Sequence, residues 1–204
     1  FIKINIDGFH CYLDNISKIV DAFIKKSENN PVNFSVQNHK LIITNYTYLS
    51  NSNSISRIEV DHKGILAQYG KDSELEEQVN TFQELVPIIF SAVEFKPSTI
   101  TRIGHAVHYI KERDYNVILQ KMFSTSNKVL NISDVAIDIK INEELEARKI
   151  ISTPVDINSG NQALMINADL FSAKPQNYKF MKKFFETSLD YFSQENKILE
   201  GIHG

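Results

Sequence analysis

The sequence predicts an α+β fold, an antiparallel sheet carrying helices on one face. Three observations carry that prediction. Short runs alternate apolar and polar residues with a period of two, as half-buried strands do. Longer runs place apolar residues every three or four positions, as amphipathic helices do. The order strand, helix, strands, helix occurs once and then repeats, with the boundary near Lys96–Thr99.

Phe1–Asp7 opens with alternation, Ile2, Ile4 and Ile6 against Lys3, Asn5 and Asp7. Asp14 is placed to cap a helix whose apolar residues are Ile16, Ile19, Val20, Phe23 and Ile24. Strands are expected at Val32–Val36, Lys40–Tyr48, Ile55–His62 and Ile65–Tyr69, with turns at Asn51–Ser54 and His62–Gly64. A long helix follows from about Ser73 to Phe95, and Pro87 inside it should kink or split it.

The second half opens on the strand Thr101–Ile110, TRIGHAVHYI. Asp114 is placed to cap a short helix carrying Ile118, Leu119, Met122 and Phe123. Ser133–Ile141 alternates most cleanly, with Val135, Ile137, Ile139 and Ile141 on one face. Ala147–Ile157 and Ala163–Phe171 read as strands around a turn at Asn158–Asn161, and Asn177 caps a final helix rich in phenylalanine. Glu143–Arg148 has helix propensity but lies between strands. The reading is therefore two tandem repeats, residues 1–98 and 99–204, joined in one continuous globular unit. This order resembles the saddle topology of the TATA-binding protein, with a helix-grip fold as the alternative, and neither comparison implies DNA binding.

With 204 residues, 42% apolar and 23% charged, the composition is that of a globular protein with a proper core. The net charge of −3 argues against a general nucleic-acid binder. The single cysteine, Cys11, excludes an internal disulfide framework and favours the cytoplasm. No apolar run approaches the roughly 18 residues of a membrane helix, so no membrane partner is expected. Phe1 is not a methionine, so the absence of a targeting segment carries no weight.

The chemistry-bearing residues gather around TRIGHAVHYI. Strand alternation puts His105 with Ile103, Val107 and Tyr109, and His108 with Arg102, Gly104 and Ala106. The two imidazoles then point to opposite faces and cannot share a metal ion, so His105 reads as a hydrogen-bonded core residue. The polar sheet face would collect Lys3, Arg57, Arg102 and Lys140 against Asp7, Glu59, Asp61, Asp134, Asp138 and Asp169, together with His108. That acidic excess disfavours a phosphate-tracking surface. If there is a binding site, Arg102, His108, Asp138 and Asp169 are its first candidates, and the pocket side with His105 and Tyr109 is second. His10–Cys11 is read as a thiol without an oriented base. No phosphate loop, dinucleotide fingerprint, zinc-ligand spacing or nucleophile elbow occurs, so no catalytic residue, metal or cofactor is expected.

Arg102, Ile103, Gly104, Tyr109 and Ile110 resemble the central strand motif of an uncharacterised, sporadically distributed bacterial protein family. Asp169–Phe171 before an aromatic-rich helix is similar too. The stretch His105–His108 and Lys111 depart from that family's pattern, where a further arginine and an asparagine are usual. The resemblance implies no activity, and a scattered distribution suits mobile elements, phage conflict or toxin–antitoxin loci. The expectation is a non-enzymatic binding protein of bacterial or phage origin with a protein or peptide partner, able to form a homo-oligomer. The alternative is a small-ligand binder or enzyme with a pocket between sheet and helices.

Overall fold

The computed structural model describes residues 1–27, 31–47, 54–70, 73–97, 99–112, 134–152 and 163–201. They form an α+β fold with ten strands in an antiparallel sheet and three α-helices. Nine strands follow the order β2 (Asn33–Gln37), β3 (Lys40–Thr47), β4 (Ser54–Asp61), β5 (Gly64–Tyr69), β1 (Ile2–Ile6), β6 (Thr99–Glu112), β9 (Ala163–Ser172), β8 (Leu145–Ser152) and β7 (Asp134–Lys140), and the short β10 (Gln176–Asn177) pairs with β6. The expected helix after Asp114 and the turns around Asn51 and Asn158 lie outside the described residues. The chain divides into two compact units, residues 1–105 with 172–204, and residues 106–171. These units cut the chain at other positions than the expected halves 1–98 and 99–204, since the second unit begins at Ala106 and the last helix belongs with the first. No helix among the described residues is long and apolar enough to cross a membrane.

In the first unit, β1 (Ile2–Ile6) lies between β5 (Gly64–Tyr69) and β6 (Thr99–Glu112), antiparallel to both. Ile2, Ile4 and Ile6 are buried and Lys3 is exposed, as the alternation requires. A 3-10 helix (Phe9–Asn15) runs directly into α1 (Ile16–Lys26). The expected cap at Asp14 is therefore displaced. Asn15 takes the capping position without a side-chain cap bond, and its amide donates to the Cys11 carbonyl at 2.9 Å. The preceding 3-10 turn puts carbonyls where a capping side chain would otherwise be needed.

β2 (Asn33–Gln37) and β3 (Lys40–Thr47) are joined through Asn38 and His39, whose φ values of 49° and 59° belong to a type I′ hairpin. The buried Tyr12 hydroxyl donates to the His39 carbonyl and fastens the 3-10 helix to that turn. β4 (Ser54–Asp61) returns through His62–Lys63 into β5, and the Asp61 carboxylate accepts the Lys63 and Gly64 amides at 2.7 and 3.1 Å.

α2 (Leu75–Ala92) is a single helix that runs through Pro87, so the expected split does not occur. Pro87 is exposed, where water can serve the carbonyl four residues earlier. The helix ends in a Schellman motif. Glu94 is left-handed (φ 54°), the Phe95 amide donates to the Phe90 carbonyl at 2.9 Å, and the two rings meet with centroids 5.7 Å apart. A glycine suits that conformation better than glutamate. Glu94→Gly is expected to raise stability by about 0.5–1 kcal/mol in chemical denaturation.

α3 (Phe180–Gly201) follows β10 (Gln176–Asn177), and the Asn177 side chain accepts the Lys179 amide at 2.9 Å just ahead of the helix. Phe184, Phe185, Ser188 and Phe192 of α3 are buried with Phe82 of α2, whose ring meets Phe185 at 5.8 Å. The core between sheet and helices is filled by these rings with Phe9, Tyr12, Phe23 and the isoleucines of β1.

The second unit contains β7 (Asp134–Lys140), β8 (Leu145–Ser152) and most of β9 (Ala163–Ser172). Ile166, Ala168 and Leu170 are buried on alternate positions of β9. The ambiguous EELEAR segment resolves into a turn and a strand. Asn142 accepts the Glu144 and Leu145 amides at 2.7 and 2.9 Å, and residues from Leu145 onward pair with β7. Cross-strand pairing overrides the helix propensity of Glu, Leu and Ala there.

Candidate functional site

β6 positions the residues singled out in the sequence. Ile103 and His105 are fully buried, while Arg102 and His108 are exposed, so the strand separates the histidines by face. His105 Nδ1 lies 2.5 Å from the Ser188 Oγ of α3, and Phe192, one helical turn on, meets the imidazole edge-on at 4.9 Å. Among the described residues its Nε2 has no hydrogen-bond partner. Burial, with a smaller push from the N-terminal ammonium, lowers the His105 pKa to about 3, so the ring is neutral at physiological pH. A serine beside a histidine is half of a nucleophile–base pair. Here both residues are 0% exposed, and among the described residues Nε2 has no hydrogen-bond partner, so the contact ties β6 to α3.

On the other face of the first unit, β3 and β4 carry an ion network. Lys40 Nζ lies 2.9 Å from Glu59 and 4.0 Å from Asp61, and Arg57 Nε lies 2.8 Å from Glu59. Burial alone would raise the Glu59 pKa, but the Lys40 hydrogen bond and the charges of Lys40 and Arg57 outweigh it and hold the carboxyl below its usual range. Lys3 pairs across strands with Gly104 and Asn5 with Arg102, which continues this polar surface to β6. Asn5 Oδ1 is buried there without a hydrogen-bond partner among the described residues. Lys40 was absent from the expected polar face. With it, Lys3, Lys40, Arg57 and Arg102 stand against Asp7, Glu59 and Asp61, so the charges on the described sheet face of this unit nearly balance.

In the second unit Asp138 is tied to Arg148, its cross-strand partner, at 2.8 and 3.3 Å. That hydrogen bond, the Asp138 charge and the field of Asp169 raise the Arg148 pKa. Asp138 and Asp169 are thus related through an arginine that the sequence reading did not include. The β7–β8 register was the signal that would have found it. His108 belongs to the same unit, whereas Arg102 belongs to the first. Tyr109 lies in β6, and its side chain is outside the described residues.

Among the described residues no three His, Cys, Asp or Glu side chains are placed to hold a metal ion. Burial raises the Cys11 pKa, which leaves the thiol unactivated, and the neighbouring His10 ring stacks on His62 at 6.1 Å instead.

The concave features lie on the outer side of the helices. A groove of about 650 Å³ runs between α1 and α2. Ala22, Pro87, Ile88 and Ala92 give it an apolar floor, and Lys18, Lys25 and Lys26 stand along it with Asp21. A second groove of about 780 Å³ continues from Pro87 and Ser91 past Phe90 and Phe95 to Tyr178. The sequence reading missed both. The available signal was the spacing, since Lys18–Ala22–Lys26 and Pro87–Ser91, each four apart, put small and cationic residues on single helix stripes.

No family model, curated protein or solved structure matches the chain. The chemistry therefore stands on geometry alone. The His105 imidazole is buried, and Glu59, Asp61 and Asp138 carry lysine or arginine partners. The groove between α1 and α2 combines apolar residues with Lys18, Lys25, Lys26 and Asp21.

Proposed function

We propose that the chain is a non-enzymatic binding protein whose partner is another protein. The observation that carries this reading is the α1–α2 groove, where Ala22, Pro87, Ile88 and Ala92 lie beside Lys18, Lys25 and Lys26, with Asp21 as the one acidic residue of the lining. Such a groove suits an apolar peptide segment flanked by acidic residues, which fills the trough and meets the lysines. The likeness of TRIGHAVHYI to a scattered bacterial family supports a bacterial or phage setting. A duplicated origin for the two halves is part of the same proposal. It is supported by the strand order, which runs β1-β5-β4-β3-β2 on one side and β6-β9-β8-β7 on the other.

The test is a random-peptide display selection against the purified chain, with Lys25→Glu/Lys26→Glu as the comparison. Apolar peptides flanked by Asp or Glu should be enriched, and the double variant should weaken their binding at least tenfold. The reading is overturned if no such peptide is enriched while a small-molecule survey raises the melting temperature by several degrees.

A further inference from the structure

We propose that β2 is the contact of a two-fold dimer, in which the edge strands of two copies pair antiparallel and join their sheets. β2 stands at one end of the strand order and pairs only with β3 among the described residues. Unprotected edges invite a further strand, and proteins normally guard them with charge, proline or a bulge. β2 has none of these. Its sequence NFSVQ is uncharged, its register with β3 is unbroken, and Val36 is 58% exposed. The strand at the other end of the order is guarded, since β7 carries Asp134, Asp138 and Lys140.

The hairpin fixes which backbone groups are on offer. In a two-residue type I′ hairpin the closing pair, Gln37 and Lys40, exchanges both hydrogen bonds, and bonded pairs then alternate. Asn33, Ser35 and Gln37 therefore point their amides and carbonyls at β3, and Phe34 and Val36 point theirs outward. A second β2 related by a two-fold axis through Ser35 meets these groups one for one. Phe34 bonds with Val36 of the second copy and Val36 with its Phe34, giving four backbone hydrogen bonds. Phe34 and Val36 share one face, so the same pairing packs two phenylalanines and two valines together. Pairing of this kind closes on itself, whereas β2 against a charged β7 would propagate without end. The contact is short, so the dimer belongs to the weak class that forms at micromolar concentrations or above.

Ser35 reports the register directly. It faces its own copy in a non-hydrogen-bonded pair, where Cα atoms sit about 4.5 Å apart, within disulfide reach. In a Cys11→Ser background, Ser35→Cys should form a disulfide-linked dimer on mild oxidation. Gln37→Cys, about 14 Å from its own copy in this register, should not. The unmodified chain should sediment as a reversible dimer at about 100 µM, and Val36→Lys should weaken that dimer at least tenfold. A chain that stays monomeric at that concentration overturns the proposal, whatever the cysteine variants do. So does crosslinking at Gln37 equal to that at Ser35, or a dimer indifferent to Val36→Lys.

Discussion

Gly64→Ala is expected to lose at least about 3 kcal/mol of folding stability, enough to leave much of the chain unfolded. Two causes act together. Gly64 opens β5 at φ 147°, a conformation that L side chains rarely adopt, and a methyl group there would stand 2.0 Å from the Ile4 carbonyl oxygen. That oxygen belongs to the backbone of β1, which is held on both sides by β5 and β6 and cannot move without disturbing both ladders. Gly8 is the control. Its φ is 70°, but nothing lies within 4 Å of the added methyl group. Gly8→Ala should then carry only the left-handed penalty, about 1 kcal/mol. Chemical denaturation of both variants separates conformational strain from steric exclusion. Equal losses at the two positions would remove the account given for β1.

Acid should destabilise the protein through His105, with an expected loss of about 3 kcal/mol between pH 7 and pH 4. The imidazole is held neutral when folded, with a pKa of about 3, and has its ordinary value near 6.5 when unfolded. Below that ordinary value the unfolded chain takes up a proton that the folded chain refuses. The contribution of His105 is therefore complete above pH 6.5, and it is lost progressively as the pH falls toward 3. His105→Phe with Ser188→Ala keeps an aromatic ring against Phe192 and leaves neither polar partner stranded. Its stability should fall by about 3 kcal/mol less than that of the unmodified chain over the same interval. Parallel stability curves for the two proteins would show that His105 is not the titrating group.

Much of the architecture was legible in the sequence, and the reason is local. A period of two commits a segment to a strand with one buried face, so β1, β3, β4, β5, β7 and β9 fall where alternation puts them. The same rule separates His105 from His108, because adjacent strand positions face opposite ways whatever else the chain does. Capping was less legible. Asp14 and Asn177 are both good capping residues, yet one is absorbed into a 3-10 turn and the other serves the amide of Lys179 ahead of the helix. Pro87 does not split α2, because its side of the helix meets water.

The candidate site was less legible still. The sequence by itself determined the α+β class, the faces of β6 and the place of His105 on the core side. Only the tertiary structure decided the partners. It set Ser188 against His105 from 83 residues away, Arg148 against Asp138 through a hairpin register, and α1 beside α2 so that three lysines edge one groove. Alternation and helical period follow from the geometry of a few consecutive residues. Which distant side chains meet follows from strand order and helix packing, which no local pattern encodes.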